Sequence, residues 1–413
     1  MKATEKPLAA GATASVQAAF SWNALISTYL PALVLALGTG IALPAIPTLA
    51  QSFGVSFGVA SGVVTSFLIG NLAGTLPSGW LIDRFGRRPV MIAGPLLTSA
   101  MAFLVVFADS FPQLLVLRFF DGCAAQMWLM ARLAAISHGA PAEQRGRQVS
   151  WMFGMNNAGK LAGPMLGGFI AFALGMRAPF VAYAVLALIA LVPTFMFAED
   201  TPRREGSARE KAPALNLALL RQILRPRLVY FAVALFAGLT RGPLYADLLH
   251  LYAAFAYHLD AQQIGYLATA ATLIGLPIGF TAGWMMDHFG RKRTMVPGFA
   301  GVALAMVALA VSAFAGLSYA WYVALFFLAV ALQSLTGGSV QTVGADVAPA
   351  EGRGMFLGVW RLTGQLGTTF SPVIFAILAD ALNFGSSFLF VAASAAVVAS
   401  LLIFYVPETR TAK

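Results

Sequence analysis

The chain has 413 residues, of which 59% are hydrophobic and only 10% charged. A soluble domain of this size carries about 25% charged residues to face water, so composition excludes an ordinary soluble protein. A formal charge of +10 would suggest nucleic acid in a soluble chain, but its placement along the sequence assigns it to membrane topology, and no nucleic-acid partner is expected.

Apolar runs of about 20 residues, enough to cross the hydrocarbon of a bilayer as a helix, recur twelve times. Period-two alternation is absent, which excludes a barrel. Residues 1–21 form a polar tail holding Lys2 and Lys6. The run that follows is too long for the apolar core of a signal peptide and is read as a retained first span, 22–46. It contains no carboxylate; Asn23, Ser27, Thr28 and Tyr29 are its polar groups. Before the second span, 57–81, the stretch Gly54-Val-Ser-Phe-Gly58 matches G-x-S-x-G without the strand-to-helix turn that a nucleophile requires, so it is read as chance. The second span ends in Gly79-Trp-Leu-Ile-Asp-Arg-Phe-Gly-Arg-Arg88. Glycines 79 and 86 permit close helix approach and a tight reversal. Asp83 can face helix N-termini, and Arg84, Arg87 and Arg88 can pair with acids or lipid phosphates.

After the third span, 89–108, the fourth, 112–137, carries Arg118, Asp121, Gln126 and Arg132, with the lone cysteine, Cys123, read as a packing residue. An arginine inside a span costs about 2.5–3.5 kcal/mol, so Arg118 should face the interior with a partner, and Asp121 three residues on shares its helix face. The fifth span, 146–172, holds Gly159, Lys160, Gly163, Pro164, Gly167 and Gly168, preceded by Asn156 and Asn157. Small residues at this spacing let helices touch backbone to backbone, and Pro164 bends the span, which fits a pivot. Lys160 within that element can bind an anionic group or take part in proton traffic.

The sixth span, 178–198, leads to a polar stretch, 199–227, with seven basic and four acidic residues and three prolines. It reads as a linker between two six-span halves, 22–198 and 228–406. The seventh span, 228–256, carries Arg241 and Asp247, about 120° apart on an ideal helix and separated by Pro243, so an ion pair between them is not expected without a bend. The eighth, 262–286, ends in Gly283-Trp-Met-Met-Asp-His-Phe-Gly-Arg-Lys292, the text of Gly79–Arg88 shifted by 204, with Asp287, Gly290 and Arg291 at the repeated positions. The ninth and tenth spans are 294–315 and 319–345. Ala348-Pro-Ala-Glu-Gly-Arg-Gly354 then repeats Ala140-Pro-Ala-Glu-Gln-Arg-Gly146 with a shift of 208. The eleventh, 354–379, carries Arg361 and Gln365; the twelfth, 383–406, is followed by a short tail, 407–413. Repeats at matching places in two six-helix halves mean an internal duplication.

Twenty of the 26 basic residues fall in segments on the side of the N-terminus, and a single one, Arg177, in the loops opposite. Short loops rich in Lys and Arg stay cytoplasmic, so both termini are placed in the cytoplasm of a multi-pass inner-membrane protein.

The stretch Gly79 to Arg88, its echo at Gly283, twelve spans and the central linker resemble the major facilitator superfamily, and the resemblance covers essentially the whole chain. It implies an all-α membrane fold of two pseudo-symmetric six-helix bundles. It also implies that the loops built on Gly79, Asp83, Arg84, Gly86, Arg87 and Arg88, and on Gly283, Asp287, Gly290 and Arg291, act as a gating latch on the cytoplasmic side. Arg118-Phe-Phe-Asp-Gly122 is similar to the family's R-x-x-[QD]-G element, which implies proton coupling at Arg118 and Asp121. Gly159 to Gly168 resembles the element of the drug–proton antiporters, with Ser150 in place of one glycine. Two departures accompany it: the first span lacks the carboxylate usual in exporters of cationic drugs, and no acid near the end of the fourth span precedes Glu143.

Mid-membrane ionisable groups mark functional sites. Lys160, Arg241, Asp247 and Arg361, with the amides of Asn156, Asn157, Gln126 and Gln365, are therefore the candidate substrate-binding residues. The expected function is alternating-access transport of a small molecule, proton-coupled export of a drug-like or metabolite substrate, by a monomer surrounded by lipid. Import of an organic anion by proton symport is the alternative. A membrane-embedded sensor or enzyme is the remaining class, and no H-E-x-x-H supports it. The nearest phosphate-loop text, Gly154 to Lys160, ends in Leu161 inside an apolar span, so neither nucleotide, metal nor other cofactor is expected and no residue is assigned a catalytic role.

Overall fold

A computed structural model describes residues 25–139, 142–197, 225–245, 247–349 and 352–408. The expected N-terminal tail, most of the linker, the end of the C-terminal tail and the Glu143 side chain lie outside the described residues. The chain is all-helical, with no strand among the described residues.

Twelve membrane-length passages follow one another. The first is α1 (Leu30–Ala42), entered by a π-helical turn at Leu25–Tyr29, plus α2 (Ala45–Ser52). Then come α3 (Phe57–Phe85), α4 (Arg87–Val105), α5 (Phe111–Gly139), α6 (Ala142–Leu174) and α7 (Ala178–Phe197). The second half opens with α8 (Leu228–Tyr245) and α9 (Leu248–Tyr257), which share one broken passage, then α10 (Ala261–Phe289) and α11 (Arg291–Phe314). It continues through α12 (Tyr319–Ser334) and α13 (Ser339–Val347), again one passage, to α14 (Arg353–Ala381) and α15 (Phe384–Phe404). Among the described residues ten helices are long and apolar enough to cross a membrane, eleven counting the bent α8–α9 pair. The passage outside that count is α6, whose glycines, Asn156, Asn157 and Lys160 dilute its apolar content.

The breaks have local causes. Pro44 follows α1 and opens α2, since proline removes a helix donor and crowds the preceding turn. The α3–α4 and α10–α11 reversals turn on Gly86 and Gly290, at φ 91° and 104°, a region that only glycine enters at no steric cost. Asp260 caps α10 by accepting from the Gln263 N–H at 2.8 Å while the Gln263 side chain accepts from the Asp260 N–H, a reciprocal cap.

Within the N-terminal half α6 lies against α1 with no room for side chains between them. A Cβ on Gly163 would collide with the backbone of Gly40, and one on Gly159 or Gly167 with that of Leu33 or Ile41. The C-terminal half repeats this where Gly367 meets Gly238 and Ser371 donates to the Leu239 carbonyl at 2.5 Å. The Pro164 ring also lies against Gly40, while its carbonyl and Gly168 approach the other half, beside Gly265 and the Ala261–Gln262 backbone of α10.

Among the described residues the halves meet at one end. There Phe57 packs edge-on against Phe255 at 5.7 Å and Phe384 at 4.9 Å, within one buried cluster drawn from both halves. Asp380 at the end of α14 accepts from the Ser56 hydroxyl at 2.5 Å and the Gly58 N–H at 2.9 Å, so its carboxylate sits on the N-terminus of α3, where a helix favours negative charge. At the opposite end, which carries the Gly86 and Gly290 loops, each buried cluster belongs to a single half. Among the described residues the molecule is closed at one end and open at the end carrying the basic loops.

Candidate functional site

Between the halves lies a cavity of about 690 Å³. The N-terminal half lines it with Thr39, Phe67, Arg118, Asn157, Lys160 and Tyr183, and the C-terminal half with Asp247, His250, Thr272, Phe326 and Gln333. An apolar wall with a few convergent polar groups is the form a small-molecule site takes.

Arg118 and Asp121 are brought together as one turn of α5 allows. The guanidinium donates to the carboxylate at 2.6 Å, both side chains are buried, and the arginine lies 4.6 Å from the Phe67 ring centroid. Tyr183 donates to the second Asp121 oxygen at 3.4 Å, and the Thr39 hydroxyl reaches the tyrosine at 3.3 Å. A chain of polar groups thus joins α1, α7 and α5, and each charge in it is compensated, as burial in an apolar bundle requires.

Of the other residues expected at the site, Lys160, Asn157 and Asp247 line the cavity. Lys160 has no salt-bridge partner among the described residues. Asn156, Gln126, Arg241, Arg361 and Gln365 are not among the lining residues: Gln126 is buried in α5, and Arg361 is exposed on the part of α14 nearer the open end. Arg241 turns into its own half, where it donates to the carbonyl of Thr336 and lies 3.4 Å from that residue's hydroxyl. Arg132 is 1% exposed and stacks over Trp128 at 4.5 Å.

His250 was not singled out by sequence, because the four histidines are dispersed. The signal was its place three residues after Asp247, on the same face of a helix. The α8–α9 passage breaks at Asp247, whose backbone is left-handed (φ 55°, ψ 19°), and its carboxylate lies 3.5 Å from the His250 imidazole.

The two repeated loops lie at the open end, and among the described residues each bonds to groups of its own half. Arg87 donates to the carbonyls of Ala134 and Ala135, and Arg88 to that of Phe195 at 3.0 Å. In the second copy Lys292 reaches the Ile403 carbonyl at 2.7 Å, while Arg291 joins Asp287 at 3.1 Å and Asp346 at 3.3 Å. Arg84 lies over Trp80 at 5.2 Å, and Asp83 is exposed. Gly79 and Gly283 face open space, so the close helix approach expected there is absent while this end is open.

A family model described as Major Facilitator Superfamily matches residues 28–254 and 244–413. The chain belongs to the major facilitator superfamily. Within that superfamily it is 25% identical over 354 residues to the class B tetracycline resistance protein of Escherichia coli, covering 83% of this chain and 85% of the relative. It is 22% identical over 239 residues to the quinolone resistance protein NorA of Staphylococcus aureus, covering 58% of this chain and 61% of that one. Among solved structures, the D-xylose-proton symporter aligns with a TM-score of 0.77 at 18% identity, over 92% of this chain and 98% of that one, a likeness of fold. The chain is a multi-pass membrane transporter of this superfamily and not an enzyme.

Proposed function

We propose that this superfamily member is a proton-coupled exporter of drug-like or metabolite molecules, working by alternating access as a monomer in the inner membrane with both termini in the cytoplasm. The observation that carries this reading is a cavity walled by both halves, open toward the basic loops among the described residues, with a compensated Arg118–Asp121 pair on its wall. With those loops cytoplasmic, substrate enters from the cytoplasm. Lys160, Asn157 and Asp247 engage its polar groups, while Phe67 and Phe326 cover its apolar surface. Rocking of the halves then breaks the contacts of Phe57 and Asp380 and brings the Gly86 and Gly290 loops together as a latch. A proton received at the Arg118–Asp121 pair returns the carrier. Export is further supported by the names of the tetracycline- and quinolone-resistance relatives and by the glycine element of α6. Import of an organic anion is the second reading, favoured by Lys160 standing in the cavity with no acidic partner among the described residues.

Everted vesicles with an acid interior and a pH-sensitive dye test both. Tetracyclines, quinolones, other cationic drugs, organic anions and sugars are added in turn. Collapse of the gradient by one class, only when the protein is present, is the expected result. Silence of the whole panel, with counterflow of an organic anion in proteoliposomes, would replace export with import.

A further inference from the structure

His250 is 6% exposed, and among the described residues neither ring nitrogen has a hydrogen-bond partner. A buried polar group left unpaired is destabilising, so packing alone is a poor reason for an imidazole here. Its edge-to-face contact with Phe326, at 5.4 Å, would be served as well by a phenyl ring. The nearest partner is the Asp247 carboxylate, 3.5 Å from Nδ1, just beyond hydrogen-bonding distance. That carboxylate is 38% exposed and belongs to a residue that lines the cavity. It is carried on a left-handed backbone (φ 55°) that few residues other than glycine adopt. The pair is thus held just apart, with the carboxylate partly exposed and within a small side-chain movement of the imidazole.

The position of the pair gives a proton bound there leverage. It sits at the break between α8 and α9, and α9 carries Phe255, which meets Phe57 of the other half at the closed end. Leu248, Leu249 and Tyr252 of the same short helix belong to the cluster that joins the halves there. The surroundings offer few competitors. On α5, Arg118 is already paired with Asp121, which Tyr183 of α7 also contacts. Lys160 stands across the cavity on α6, and the Tyr322 hydroxyl on α12 is engaged with the Leu249 carbonyl. The residues that α10 presents to the cavity are uncharged.

We propose that Asp247 and His250 form a proton-binding pair at the break of the seventh passage, whose occupancy sets the position of α9 and so couples proton binding to opening of the closed end. In the step, one proton passes from cavity water to the pair, forming one N–H or O–H bond, and is given back to water when the pair separates. The inference rests on the proton-coupled reading and adds to it a site distinct from Arg118 and Asp121.

The test needs no substrate. Cysteines replacing the exposed Met196 and Phe404, at the same end of the two outer helices α7 and α15, carry spin labels in a Cys123→Ser background in lipid nanodiscs. The distance between labels is measured by pulsed electron resonance from pH 5.5 to 8.5. The wild-type distribution is expected to shift with pH. His250→Gln and Asp247→Asn, each checked for a monodisperse profile, are expected to lose most of that shift. His258→Asn, at the far end of α9, should keep it. A shift that persists in either His250→Gln or Asp247→Asn overturns the pair while leaving proton coupling intact. A wild-type distribution independent of pH overturns the proton-coupled reading, and this inference with it.

Discussion

The Arg118–Asp121 pair illustrates how far one residue's neighbours decide its role. With a carboxylate 2.6 Å away, the arginine is tolerated inside the bundle. Removing the acid leaves a buried charge uncompensated, which costs about 3–5 kcal/mol. Asp121→Asn is accordingly expected to abolish gradient-driven transport in the vesicle assay and to lower thermal stability in detergent. Tyr183→Phe, which removes two long hydrogen bonds, to Asp121 and from Thr39, should cost about 1–2 kcal/mol and leave measurable transport. Equal effects of the two variants would contradict the hierarchy. Lys160→Ala belongs to the same scale: loss of the unpaired cavity cation should lower flux tenfold or more, about 1.4 kcal/mol of recognition, with expression unchanged. This part of the site was legible in the sequence, because a three-residue spacing on a helix fixes a contact whatever the tertiary structure. The orientation of Arg241 was not, since its partner Thr336 is 95 residues away and belongs to no local pattern. The Asp247–His250 spacing carried the same three-residue signal, but nothing in it told of the left-handed break at Asp247 that holds the two 3.5 Å apart.

At the scale of elements, the twelve passages, the duplication and the glycine face of α6 were all readable, because each rests on composition or on helical period. The contacts that close one end were not. Ser56, which sits in a chance G-x-S-x-G match, accepts from the Val59 N–H at the start of α3 and donates to Asp380 of the other half. Nothing in either local sequence links residues 324 apart. The position of Asp380 on the α3 N-terminus yields a prediction. Asp380→Ala removes two charge-assisted hydrogen bonds between the halves. At an exposed site their joint contribution is about 1 kcal/mol, enough to move the ratio of the two conformations roughly fivefold. Gly58→Ala should act in the same direction, because its Cβ would press on that carboxylate. Both are expected to shift the same spin-label distances toward the form closed at the basic-loop end. An unchanged distribution in both would show that the aromatic cluster around Phe57 alone holds the closed end. Gly163→Ala is of another kind: with the Gly40 backbone in the way it should separate α1 from α6 and lower stability.

The whole molecule adds what neither residues nor elements contain, namely which end is open. The same helices pack into either conformation, and the choice turns on a few contacts at their ends, so sequence patterns that encode helices and faces are silent on it. The structure makes this accessible to chemistry. Gly154 lies on the face of α6 that carries Asn157, Gly279 lines the cavity from α10, and a Cβ at either meets nothing within 4 Å. Ala253, by contrast, is 0% exposed in the closed end. Single cysteines at the three positions, again with Cys123→Ser, are treated with a membrane-impermeant maleimide from each side of the bilayer. Positive residues concentrate in cytoplasmic loops, so positions 154 and 279 should react from the cytoplasmic side, in everted vesicles but not in intact cells, and position 253 from neither. Reaction at 154 and 279 from the external side would invert the assigned topology. Reaction at 253 from outside would mean that the form open to the exterior is well populated at rest. A compound that protects position 279 while leaving 154 reactive would then identify a ligand by where it sits, without requiring it to be transported.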